Sequence, residues 1–149
     1  MTRLFIVVAF LLLVWLAPSN AAEEVWTSDY AAAAAKAKKE NKALLLDFTG
    51  SDWCCWCMKL KEEVFAQKEF KDWAAQKAVL IEVDFPRHNM LAAETTKQNA
   101  ELRNKYNIRG YPTIIVLGPT ENKIGELGYM NGGPAAWTKA CDEILAKGK

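Results

Sequence analysis

The five residues Trp53-Cys54-Cys55-Trp56-Cys57 constrain this chain more than any other stretch. They follow the apolar run Ala43 to Phe48 and open a helix-like segment, Met58 to Phe65. Two cysteines three apart, between a strand and a helix, are the sequence form of a dithiol/disulfide redox site. A helix N-terminus offers unpaired N–H groups and about half a positive charge, which favours a thiolate there. Cys54 sits where that field acts, and Cys57 lies one turn on, on the same face. Cys57 also starts an apolar stripe with Leu60, Val64 and Phe65. The pattern therefore predicts an exposed attacking thiol at Cys54 and a shielded resolving thiol at Cys57.

The N-terminus reads as an address label. Arg3 precedes an unbroken apolar run, Leu4 to Leu16, and Pro18 to Ala22 supplies small residues. This is the pattern of a signal peptide over residues 1–21, cleaved after Ala21 or Ala22, with the domain occupying 22–149. A spanning helix needs about 20 apolar residues, more than this run provides. Export changes how four cysteines are read, because an oxidising compartment permits bridges. A Cys54–Cys55 bridge would join Cα atoms only ~3.8 Å apart, closer than a relaxed disulfide prefers. Cys54–Cys57 is the better pairing.

Composition enters through charge. The chain of 149 residues has a net charge of +1, and loss of the leader removes Arg3 and no acid. That near-neutral balance, without a basic tract or phosphate-binding glycine loop, argues against nucleic acid as a partner. No cofactor is called for.

In order, Glu23 to Trp26 reads as a lead-in. Thr27 or Ser28 caps a solvated helix through Lys39, packed by Trp26 and Tyr30. Ala43 to Thr49 is a strand buried on both faces. Further helix runs from Gln67 to Gln76, and Val79 to Phe85 is a second strand. Arg87 to Thr96 reads as an irregular insertion loop, followed by a helix to about Tyr106. Thr113 to Leu117 is a third strand, Gly118 to Asn122 a hairpin turn and Lys123 to Leu127 an edge strand. Gly132-Gly133-Pro134 opens the last helix. Cys141, with Trp137, Ile144 and Leu145 at helical spacing, reads as a small core residue. Cys55 reads as an exposed spectator, Lys59 and Lys61 as a solvated face, and His88 as a solvated loop residue.

Asp47-Phe48, Trp53-Cys54-Cys55-Trp56-Cys57 and Lys105 to Thr113 together resemble the thioredoxin superfamily, in particular secreted bacterial thiol:disulfide interchange proteins. The resemblance covers Trp26 to Leu145. It implies a thioredoxin-like α/β fold: a mixed central sheet flanked by helices, with an extra N-terminal helix. It implies a nucleophile at Cys54, a resolving thiol at Cys57, a cis-proline at Pro112 and a tryptophan beside the nucleophile at Trp53. Asp47 matches the buried acid that assists proton transfer, while Trp56 and Tyr111 are placed to contact substrate. Three departures stand out. One extra residue separates Asp47 from Cys54, Cys55-Trp56 replaces Gly-Pro, and no lysine appears in Val79-Leu80-Ile81 to partner the acid.

The favoured reading is a reductase or isomerase of exported proteins carrying disulfides or thiols. A membrane electron-transfer protein would serve as its redox partner. Two other readings stay open: a copper(I) or zinc module using Cys54, Cys55 and Cys57, and a non-catalytic chaperone-like domain.

Overall fold

The computed structural model describes residues 26–148; the leader expected over residues 1–21 lies outside them. Strand β1 is Trp26–Thr27, helix α1 Tyr30–Glu40 and strand β2 Ala43–Thr49. Helix α2, Cys55–Leu60, runs into a single π-helical turn, Lys61–Phe65. Then come α3 Lys68–Lys77, β3 Ala78–Asp84, α4 Ala93–Lys105, β4 Thr113–Leu117, β5 Lys123–Leu127 and α5 Gly133–Lys147. The sheet order is β1-β3-β2-β4-β5. β1 and β2 each run parallel to β3, while β4 is antiparallel to both β2 and β5. This is the mixed sheet with helices on both faces that the sequence predicts.

β2 is central because every residue from Ala43 to Thr49 is buried. Alternation of side chains along a strand sends neighbours to opposite faces. Leu44, Leu46 and Phe48 pack with Ala33, Ala34 and Ala37 of α1 and Leu102 of α4. Leu45 packs on the other side with Leu60, Val64, Phe65, Phe70 and Trp137. Asp47 shares that second side, beneath the layer that begins at the cysteine motif.

The two faces are built differently. Alanines let α1 approach the sheet closely, with Tyr30 against the same cluster. The opposite face is aromatic: Phe65 and Phe70 ring centroids are 4.8 Å apart, and Trp137 meets Phe65 edge-on at 5.4 Å. Trp26 belongs here, 5.1 Å from Phe65, and not on α1 as the sequence reading has it, because strand β1 pairs with β3.

Some boundaries differ from expectation. The cap of α1 is Asp29, whose Oδ1 accepts from Ala32 N at 3.0 Å, while Thr27 Oγ1 accepts from Asp29 N. The irregular segment is shorter than Arg87 to Thr96, since α4 already begins at Ala93 and Thr96 N donates to Ala92 O. Polar composition concealed that first turn. Gly132 and Gly133, at φ 107° and 66°, provide the left-handed entry to α5 that a side chain would resist.

Candidate active site

A short turn joins β2 to α2 and carries the motif. Cys54 N and Trp53 N both donate to Gly50 O, at 2.9 and 3.3 Å. A Cβ on Gly50 would lie 2.4 Å from the Trp53 indole, so only glycine lets the ring fold back over this turn. Ser51 fastens it to β3: its N–H and hydroxyl donate to Asp84 Oδ1 and Oδ2, at 2.8 and 2.5 Å. Asn99 Nδ2 donates to the Asp84 carbonyl, tying in α4. Asp52 fastens the following loop, its carboxylate accepting the N–H groups of Arg87, His88 and Asn89 at 2.9, 2.7 and 3.0 Å. Those bonds, the one from Arg87 foremost, hold the Asp52 carboxyl below its ordinary pKa.

Cys54 is the N-cap of α2, and its Sγ accepts from Cys57 N at 3.2 Å. The two cysteines form a disulfide with Cα atoms 5.3 Å apart, inside the usual span. The expected asymmetry of exposure is absent, with Cys54 at 6 % and Cys57 at 5 %. Capping and bonding turn the Cys54 sulfur back onto the first helical turn, which shields it as well as its partner. Cys55 is a free, exposed thiol, and Cys141 a free, buried one whose pKa burial pushes up to about 12.

Aromatic rings flank the disulfide on both sides. Trp53 Nε1 donates to Phe85 O at 2.8 Å, its ring meets Tyr111 edge-on at 5.7 Å, and the Arg87 guanidinium stacks 3.9 Å from its centroid. The Tyr111–Pro112 peptide is cis. On the other side Trp56 is 52 % exposed and 5.0 Å from Tyr129. Lys59 Nζ stands 5.1 Å from the Trp56 ring and 5.0 Å from Tyr129, with Glu63 at 3.8 Å. Tyr129, then Glu63, raise the Lys59 pKa. Lys59 is thus part of this aromatic platform and not simply a solvated residue.

Between the sheet and the π-helical turn that follows α2 lies a cavity of about 270 Å³ lined by Trp26, Asp47, Lys61, Phe65 and Glu82. Asp47 is buried and Oδ1 has no hydrogen-bond partner. The strand register sets it beside Glu82. Burial first, then Glu82, raise its pKa to about 8; Lys61 lowers it by less than these, and Asp84 adds the smallest raising. Where Val79-Leu80-Ile81 offers no lysine, Lys61 of the helical turn lines the same cavity and acts on Asp47 through its charge, and an acid occupies the neighbouring strand position. Sequence reasoning passed over both. Yet Lys61 lies four residues after Cys57, on the same helix face, and Glu82 is one of only two acids in β3, the other being Asp84. Among the described residues, no three His, Cys, Asp or Glu side chains are grouped to hold a metal ion.

A disulfide at a helix start, a cis-proline loop and this strand order define the thioredoxin-like class. A thioredoxin-like family model matches residues 25–119, and the chain belongs to that family. The disulfide bond reductase DsbH of Chlamydia pneumoniae is 36% identical over 128 residues, 86% of this chain and 76% of that protein. A solved DsbH oxidoreductase structure superposes with TM-score 0.78 at 33% identity, covering 81% of this chain and 83% of its own. The thiol:disulfide interchange protein DsbD of Vibrio cholerae is 30% identical over 112 residues, 67% of this chain and 17% of that protein.

Proposed function

We propose that this chain is an exported thiol–disulfide oxidoreductase that reduces or isomerises protein disulfides through Cys54 and Cys57. The observation that carries the reading is the Cys54–Cys57 disulfide seated at the N-terminus of α2. Similarity to a protein named a disulfide bond reductase supports it. In the reduced protein the Cys54 thiolate attacks one sulfur of a substrate disulfide and expels the other as a thiolate. Cys57 then loses its proton and attacks the mixed disulfide, closing the Cys54–Cys57 bond and releasing the second substrate thiol. Two electrons pass to the substrate; one of its two thiols is completed by the proton Cys57 gives up and the other by a proton from solvent. Asp47, the position that the family resemblance assigns to proton exchange with the resolving thiol, has its pKa raised to about 8 by burial, so its ionised form becomes the acceptor as pH rises towards that value.

Trp53 and Pro112 support the site, while Trp56 and Tyr111 contact the substrate segment. Substrates are exported proteins, and a membrane electron-transfer protein returns electrons to the oxidised pair. Export rests on the leader pattern of residues 1–21. Among the described residues no helix is long and apolar enough to cross a membrane.

The test is a trap. Cys57→Ser leaves Cys54 able to attack and unable to be released, so mixed disulfides with exported proteins accumulate on non-reducing gels. Absence of adducts, with the variant folded, overturns the mechanism. The equilibrium potential then sorts reductase from isomerase, between about −270 mV for thioredoxin and about −180 mV for the isomerase.

A further inference from the structure

The mechanism above leaves unused the most constrained cation near the site. We propose that Arg87 is a preorganised carboxylate receptor beside Cys54, so that the protein prefers disulfides flanked by acidic residues. This rests on the oxidoreductase reading and names the substrate class of that same site.

Arg87 is held at both ends. Its backbone N–H donates to Asp52 Oδ1, and the next two residues donate to Oδ2 of the same carboxylate. Its guanidinium lies 3.9 Å from the Trp53 ring centroid, and Trp53 is itself anchored through Nε1 to Phe85 O. Stacking occupies the face of a guanidinium, whereas its N–H donors radiate in the plane and match a carboxylate in bidentate fashion. Among the described residues the Arg87 side chain is exposed and has no ion pair. Fixing it before the partner arrives reduces the ordering cost of binding.

The nearby acids are already engaged. Asp52 accepts three backbone N–H groups, and Glu63 lies 3.8 Å from Lys59 and accepts from the Tyr129 hydroxyl. On the Trp56 side Lys59 is paired with Glu63, whereas on the Trp53 side the Asp52 carboxylate is turned to backbone N–H groups and makes no ion pair with the Arg87 guanidinium. Since Trp53 directly precedes Cys54, a carboxylate bound at Arg87 belongs to a residue close in sequence to the attacked substrate cysteine. The whole chain, at net +1, exerts little general attraction for acids. The preference is local.

Three synthetic peptides test this, each with one intramolecular disulfide and differing only in flanking Glu, Gln or Lys. The reduced protein donates two electrons to each, followed by stopped-flow tryptophan fluorescence. At low salt the Glu peptide is reduced about tenfold faster than the Lys peptide, and the ratio shrinks towards one at high salt. Arg87→Gln abolishes the preference. Arg87→Lys, which keeps the charge and loses the planar fork, retains a fraction of it, and Lys59→Gln lowers the ratio by less than Arg87→Gln. Equal rates for the three peptides at low salt, or a Glu preference that survives Arg87→Gln, overturn the proposal. Failure to reduce any of them overturns the oxidoreductase reading, and this one with it.

Discussion

Asp47 and Asp84 lie near one another on adjacent strands and are equally hidden, at 8 % and 9 % exposure, yet the fold treats them in opposite ways. Asp84 receives both donors of Ser51, so its charge is satisfied and fastens the active-site turn to β3. Asp47 has Glu82 beside it, an Oδ1 without a partner, and only Lys61 as a counterweight. A buried carboxylate without donors is costly when ionised. One acid is therefore a fastening, and the other keeps its proton through neutrality. The difference lies in the donors each meets, and burial alone would not reveal it.

The largest effect that would break the comparison comes from Asp47→Asn. Folded Asp47 keeps its proton up to about pH 8, whereas an unfolded aspartate releases it near pH 4. Between those values the native state binds more protons, so Asp47 lowers stability progressively as pH rises. Asp47→Asn removes this slope. Its stability relative to the parent should climb by up to about 1.4 kcal/mol per pH unit from pH 4 to 8, measured by urea unfolding across that range. Equal slopes in the two proteins would mean that Asp47 is ionised and paired. Its reductase activity should meanwhile lose the pH dependence centred near 8.

Asp84→Ala comes next. It strands the Ser51 N–H and hydroxyl and should cost about 2–3 kcal/mol, with reduced turnover because the turn holding Cys54 loosens. Chemical unfolding with no change in midpoint would show that solvent satisfies these groups instead. Ser51→Ala removes one of the two bonds and should cost about 1 kcal/mol. A loss as large as that of Asp84→Ala would place the whole contribution on the hydroxyl.

Local patterns made much of this molecule legible. The buried run Ala43 to Thr49, the hairpin strands on either side of Gly118 to Asn122 and the helix after Gly132 were readable because apolar periodicity and turn residues act over a few positions. The cysteine motif was readable for the same reason. The surroundings of Asp47 were not, since Glu82 reaches it only through parallel register and Lys61 only through a helical turn crossing above. Burial of Cys54 depends on its cap and disulfide, and Arg87's place over Trp53 depends on the Asp52 clamp. None of these leaves a mark in hydrophobic periodicity.

The edges of the sheet have a consequence for association. An open strand edge presents a ladder of free backbone groups on which a second chain can pair. Among the described residues one edge is β1, a strand of two residues, and the other is β5, five residues long. β5 carries exposed Lys123 and Glu126, and its pairing with β4 shifts register at Val116/Leu117. Such short, charged and irregular borders offer a poor template for strand addition. A polypeptide brought to the thiols by the proposed exchange would therefore find little at the sheet borders to pair with.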